Sequence, residues 1–457
     1  MKSRQIDKRP TFIYLEIPNT KKQIPMKNLF KPIIVAILTF EAKLVLAKFR
    51  PRVVALTGSV GKTSTKDAVY SVLAKKFFVR RSEKSFNSEI GIPLTILGLQ
   101  NAWANPWLWL WNLLRGLVVI MSRKPYPEWL VLEVGADRPG DIQKVAKWLK
   151  TEVVVFTRFG KVPVHIEFFK SREELIAEKM SLLSSLSRDG VIIANSDDED
   201  IVKAIEKSEN RVTTFGLTGD SNVSAANIKI CYAGYGRFQF PKGICGDLKV
   251  NARSFPINVS GTIGTQQAYP ILAAAAVGVS QGLELSEIAE AITDHESPPG
   301  RMRLISGIKE TMIIDDSYNS SPVAVKSALE TLFGLEVAGR KIAVLGDMLE
   351  LGRHSADEHR EIGAMTKDAD LLITVGVRAR GFAEGALSAG LNERKVLQFE
   401  DSISAAKEIQ NLLAPGDVIL VKGSQGVRME KIVEEIMAEP DKRAELLVRQ
   451  DEEWGKR

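Results

Sequence analysis

One stretch constrains this chain more than any other: Val53–Leu73, VVALTGSVGKTSTKDAVYSVL. An apolar run of strand type breaks at Thr57-Gly58-Ser59-Val60-Gly61-Lys62-Thr63 and passes directly into helix-forming residues. Apart from the missing first glycine, this is the strand–loop–helix phosphate cradle. Backbone N–H groups from Gly58 through Ser59 and Gly61 to Lys62 are expected to wrap phosphate oxygens, and the dipole of the following helix favours the anion. Lys62 would neutralise β- and γ-oxygens, Thr63 would offer its hydroxyl to Mg²⁺, and Ser64 extends the cradle. The bland alternative is a glycine turn with a chance lysine. The pattern predicts a bound nucleotide without naming the reaction, and no N-K-x-D base-recognition motif supports guanine.

The rest of the chain alternates in the same rhythm. Short β-rich runs recur at VVALTG, WLVLEVG (129–135), VVVFTRFG (153–160) and GVIIANSDD (190–198), with helix-length segments between. A glycine- and asparagine-rich β excursion fills 211–260, and HESPPGRMRL (295–304) reads as a hinge. A second alternation follows at TMIIDDSYN (311–319), KIAVLGDM (341–348), DLLITVG (370–376) and DVILVKGS (417–424). The expected fold is α/β: a P-loop central domain with a parallel sheet, then a C-terminal Rossmann-like α/β domain. Expected bounds are 1–50 for a basic, apolar N-terminal segment with an entry helix, 51–298 for the central domain with an insertion at about 101–126, 299–437 for the C-terminal domain, and 438–457 for a polar tail.

Charge is unevenly spread. Residues 1–52 carry twelve Lys/Arg against three Asp/Glu, while the remainder carries fifty against fifty-three. The excess suits an anionic surface or a solvated tail. Residues 103–121, WANPWLWLWNLLRGLVVIM, are apolar but contain Arg115, two asparagines and a proline, which disfavours a span. They read as an interfacial or partner-facing helix, or as a buried core helix. Two cysteines, Cys231 and Cys245, cannot build a disulfide framework; a reducing compartment is expected, with a single bridge as the alternative. A cytoplasmic location, at the inner face of the membrane if 1–52 and 103–121 touch it, follows as an expectation. Nucleic acid is not an expected partner, and composition is silent on oligomeric state.

Several further stretches join the P-loop: SFNSEIGIPLTIL (85–97), LEVGADRPGDI (132–142), PVHIEFFKSREELIAEKM (163–180), GRMRL (300–304), IIDDSYNSSP (313–322), VLGDMLELGRHS (344–355) and LVKGSQGVRME (420–430). In this order they resemble the Mur ligase family over residues 40–436, most closely the branch that adds D-alanyl-D-alanine to a peptidoglycan precursor peptide. The resemblance implies an ATP-dependent amide ligase working through an acyl phosphate. It implies that Thr63 and Glu133 hold one Mg²⁺, His165 a second, and that Lys179 is carbamylated. It further implies that Lys62 and Arg301 bind phosphates, that Asp316 or its neighbour Asp315 binds ribose, and that Asn87 and Ser88 lie by the γ-phosphate or the substrate carboxylate. Lys422 either binds the substrate's carboxylate or merely ends a strand. Asp347 either shapes the acceptor pocket or a turn, and His359 is expected to be structural.

Three departures from the family pattern stand out. Its UDP-gripping N-terminal domain has no counterpart in the fifty residues before the P-loop strand. Pro270 in GTQQAYP replaces an asparagine that contacts adenine in the family. Residues 103–121 look inserted. The alternatives left open are a related ligase acting on a carboxylate not linked to UDP, and a nucleotide-binding scaffold without catalysis.

Overall fold

The computed structural model describes residues 31–82, 86–103, 105–160, 166–218, 221–251, 253–451 and 454. Two sheets organise them. The first takes nine strands: β1 (Arg52–Thr57), β2 (Val79–Arg81), β3 (Trp129–Glu133), β4 (Thr151–Phe156), β5 (Leu186–Asn195), β6 (Arg211–Gly216), β7 (Val223–Tyr235), β8 (Phe238–Val250) and β9 (Arg253–Ser260). Their order is β2-β3-β1-β4-β5-β6-β7-β8-β9, parallel as far as β7 and antiparallel beyond. The second takes β10 (Arg303–Gly307), β11 (Thr311–Asp316), β12 (Lys341–Gly346), β13 (Leu371–Val375), β14 (Val396–Phe399) and β15 (Val418–Lys422), in the order β10-β11-β15-β12-β13-β14. Only β10 runs against its neighbour there.

Sequence chemistry explains the layers. β1, β3 and β4 are almost continuously apolar, as strands covered on both faces must be. One face of the first sheet packs on helix α2 (Lys62–Ala74) and the alanine-rich helix Ala268–Ser280, whose small side chains allow close approach. The other face packs on α1 (Lys31–Phe49), α3 (Gly91–Leu97) and α4 (Pro106–Met121). Completing that face are α5 (Asp141–Ala146) and α6 (Arg172–Met180). Pro270 sits buried within the first turn of its helix, where the missing N–H costs little.

Three expectations need correction. The stretch 103–121 is not a core helix: α4 buries only Trp109, Asn112 and Gly116 and exposes most of its other large apolar side chains. Among the described residues no helix is long and apolar enough to cross a membrane. The two cysteines are joined, because the β7–β8 pairing, invisible in composition, brings their Cα atoms to 6.0 Å. The 438–457 segment, expected only as a polar tail, is docked: Arg449 is buried against Glu430, donating at 2.8 Å, and also donates to Tyr318 O.

Candidate active site

The site forms at the carboxyl ends of β1, β3 and β4, where a parallel sheet opens a crevice. Gly61 caps α2 at φ +82°, a left-handed conformation that glycine adopts freely. The loop is braced from β4: Thr157 Oγ1 donates to Val60 O at 2.7 Å, and Ser59 and Val60 N–H groups donate to Arg158 O at 2.6 and 3.3 Å. Those two amides are turned to the protein here. The amides of Gly61, Lys62 and Thr63, which open α2, have no intrahelical acceptor and remain available to an anion.

Two lysines converge on one carbonyl. Lys62 Nζ donates to Gly58 O at 2.8 Å, and Lys179 Nζ, from the last turn of α6, donates to the same oxygen at 3.2 Å. Lys179 is 3% exposed. Burial, reinforced by the Lys62 charge, lowers its pKa to about 7. Burial also lowers Lys62, opposed by Glu133. The aim of Lys179 is set by its neighbour Glu178, whose carboxylate accepts from Gly140 N at 2.9 Å and Ile142 N at 2.6 Å and so pins α6 to the start of α5.

Glu133 closes the other side. It ends β3, is 2% exposed, and accepts from Thr63 Oγ1 at 3.0 Å and Asn87 Nδ2 at 3.2 Å. Asn87 O in turn accepts from Gly135 N at 2.9 Å, so Asn87 is fixed to the strand end twice. A buried carboxylate beside a hydroxyl is a hard oxygen donor set. It fits Mg²⁺, which binds through few protein oxygens and completes its shell with water and phosphate oxygens. Among the described residues no group of three or more His, Cys, Asp or Glu would hold a metal by protein ligands alone. His165 lies outside the described residues. Ser88 is exposed and its Oγ accepts from Gly91 N at 3.4 Å, at the start of α3. Ser64 is buried in α2.

The second sheet contributes across the hinge. The Arg301 guanidinium lies 3.5 Å from Thr63 Oγ1 and 4.1 Å over the Tyr318 ring, and its Nε is buried with no hydrogen-bond partner. An unsatisfied guanidinium N–H beside a phosphate loop suits an anionic ligand. Asp315 Oδ2 accepts from Gly300 N at 3.1 Å and Asp316 Oδ1 from Met302 N at 3.2 Å, so the two carboxylates grip the backbone on either side of Arg301. Burial raises the Asp315 pKa to about 6. Asp316 also accepts from Lys422 Nζ at 2.5 Å, and Lys422 donates to Asn319 O at 3.0 Å. Lys422, 2% exposed, is therefore committed to Asp316 and is not an open cation for a substrate carboxylate. His359 is structural: Nε2 accepts from Met348 N at 3.0 Å, leaving Nδ1 as donor to Ser355 O. Asp347 shapes a turn, accepting from Ala379 N at 2.7 Å.

Comparison with known proteins now bears on the assembly. Residues 117–278 match the Mur ligase middle domain, and residues 300–425 match the Mur ligase glutamate ligase domain. The chain belongs to the Mur ligase family. The UDP-N-acetylmuramoyl-tripeptide–D-alanyl-D-alanine ligase of Bacillus subtilis is 28% identical over 401 residues, covering 87% of this chain and 79% of that protein. The ligase of the same name from Escherichia coli is 27% identical over 389 residues, covering 84% and 76%. The structure of the MurF ligase from Thermotoga maritima in complex with ADP superimposes with a TM-score of 0.71 at 26% identity, over 90% of this chain and 84% of that one. In this Mur ligase, sequence reasoning overlooked Asp137, whose charge favours protonation of both Lys62 and Lys179. It also overlooked Glu178 and Tyr318. Asp137 follows Glu133 by four residues at a strand end, a signal that was readable; the roles of the other two depend on tertiary packing.

Proposed function

We propose that this chain is an ATP-dependent ligase that joins the carboxylate of a peptidoglycan precursor peptide to the amine of D-alanyl-D-alanine. The observation that carries the reading is the convergence of Lys62, Lys179, Glu133, Thr63 and Arg301 on one loop from two sheets. A carboxylate resists attack by an amine because its leaving group would be oxide. Transfer of the γ-phosphoryl group to one carboxylate oxygen gives an acyl phosphate and ADP. Attack by the amine then forms the amide and expels inorganic phosphate, with the amine's proton passing to solvent or a nearby base.

The chain's residues suit each demand. Lys62 and Arg301 supply fixed positive charge where phosphoryl transfer concentrates negative charge. Glu133 and Thr63 would hold Mg²⁺, with Asn87 orienting Glu133; bound there, the ion would neutralise phosphate oxygens. His165 is proposed for a second ion. Ser88, at the exposed mouth, is proposed for the substrate carboxylate. Asp315 and Asp316 are proposed to fix Arg301 and face the ribose.

Carbamylation of Lys179 is also part of the reading. An amine held near pKa 7 is substantially neutral at physiological pH and open to CO₂. Addition forms an N–C bond, releases one proton and leaves a carbamate anion. That would replace the repulsion between two cations at Gly58 O by an attraction. An enzyme consuming ATP works where ATP is made, so we place it in the cytoplasm, with the Cys231–Cys245 bridge an exception to the rarity of disulfides there.

The test is phosphate release by the purified full chain with ATP and Mg²⁺. Release should require both the UDP-linked tripeptide and D-alanyl-D-alanine, with the pentapeptide product seen by mass spectrometry. Equal release with neither substrate would overturn the reading. Release with a peptide acceptor lacking UDP, and none with the UDP form, would move the assignment to the related ligase.

A further inference from the structure

The described residues expose nineteen large apolar side chains, and twelve of them lie on α1 and α4. On α1 they are Ile33, Ile37, Phe40 and Leu44, spaced as one helical stripe; on α4 the most exposed are Trp107, Trp111, Val118 and Met121. The helices lie side by side and run the same way. Glu41 packs against Gly116, where a Cβ would collide with its carboxylate, and Lys48 Nζ donates to Ile120 O and Ser122 O at 2.7 and 2.6 Å. Both bury their opposite faces in the same core, through Leu38, Ala42, Val45 and Trp109. Their apolar stripes therefore point away from the protein together. Monomeric proteins rarely leave such a patch bare.

Charge identifies what covers it. Residues 31–50 and 105–124 hold seven Lys/Arg and a single acid, Glu41. Glu41 is buried, whereas Lys43, Arg50, Arg115, Arg123 and Lys124 are exposed. A second copy would set these cations against cations, so the surface is not self-complementary. Tryptophans at one end of the pair and most of the cations towards the other are the chemistry of a helix lying in a lipid interface, where the ring sits at headgroup level and Lys/Arg meet anionic lipid. Neither helix is long and apolar enough to cross the membrane.

We propose that the paired α1–α4 surface is a docking face for an anionic lipid bilayer, which it enters only to the depth of the headgroups. Co-sedimentation of the full chain with phosphatidylcholine–phosphatidylglycerol vesicles tests this, with pure phosphatidylcholine as control. Binding should depend on the anionic lipid and weaken as salt rises. The triple variant Trp111→Ser/Leu114→Ser/Leu117→Ser should bind about tenfold or more weakly, because three apolar anchors are lost. The pair Arg115→Glu/Lys124→Glu should bind about 25-fold or more weakly, at roughly fivefold or more per cation. Circular dichroism and turnover with soluble substrates should be unchanged in both. Three results would overturn the proposal: no binding at low salt, triple-variant binding equal to that of the parent, or a dimer in sedimentation that the triple substitution abolishes.

Discussion

Two charged clusters meet across the hinge at Arg301, and they are wired in opposite ways. At the P-loop, two lysines crowd a single carbonyl, and the nearest carboxylate, Glu133, is tied to a hydroxyl and an amide. Its two lysines share one backbone oxygen, and burial lowers the pKa of both. On the second sheet, Asp315, Asp316 and Lys422 close on one another and on the backbone around Arg301. That cluster is electrically nearly complete. The contrast teaches that similar residues at similar strand ends divide the labour: in the proposed mechanism the first cluster would receive phosphate, and the second would aim one guanidinium at it.

Substitutions that exploit this contrast fall in a clear order. Lys62→Ala removes the cation closest to the cradle and should cut turnover by about 10³-fold, read as phosphate release, because its field acts on the charge developing in transfer. Lys179→Ala should lower ligation about 10²-fold. Formate or acetate should partly restore it by supplying the lost carboxylate, whereas a short amine should not. Turnover of the parent enzyme should rise with pH through about 7, where Lys179 becomes neutral and open to CO₂. Failure of both tests would remove the carbamate from the mechanism.

The second cluster should respond differently. Asp316→Asn leaves Lys422 charged and buried, so unfolding free energy should fall by about 3 kcal/mol in denaturant titration. Turnover should fall only about tenfold, through the loosened aim of Arg301. Adding Lys422→Met should restore stability but not turnover. If both recovered together, the aspartate would be a stability element only.

The smallest effect concerns the hinge itself. His295 is buried, its Nδ1 lies 3.1 Å from Ser71 Oγ on α2, and burial lowers its pKa from 6.5 to about 4. Between these values the unfolded chain binds the extra proton, so stability is full above about pH 6.5 and declines as pH falls towards 4. The loss is about 3 kcal/mol at most. His295→Gln should flatten that limb of the stability–pH curve and leave turnover at pH 7.5 within about twofold.

Sequence legibility follows the same division. The P-loop, Glu133 and the alternating strands were readable because each is local: a glycine turn after an apolar run, a carboxylate ending a strand. β2, β10 and β14 were not singled out: each is an edge strand whose half-exposed residues leave no continuous apolar run. Motif order places Lys422, Asp315 and Asp316 at strand ends but cannot show that Lys422 bonds Asp316 or that both aspartates hold the backbone around Arg301. The Cys231–Cys245 pairing and the docking of Arg449 likewise depend on contacts between segments whose adjacency only the fold creates.

The central claim is that the acceptor's acid group becomes an acyl phosphate. Labelling its carboxylate with ¹⁸O and analysing the released phosphate by mass spectrometry tests this most directly. The account predicts one labelled oxygen carried into phosphate per amide formed. Phosphate free of label, with amide product still accumulating, would contradict it.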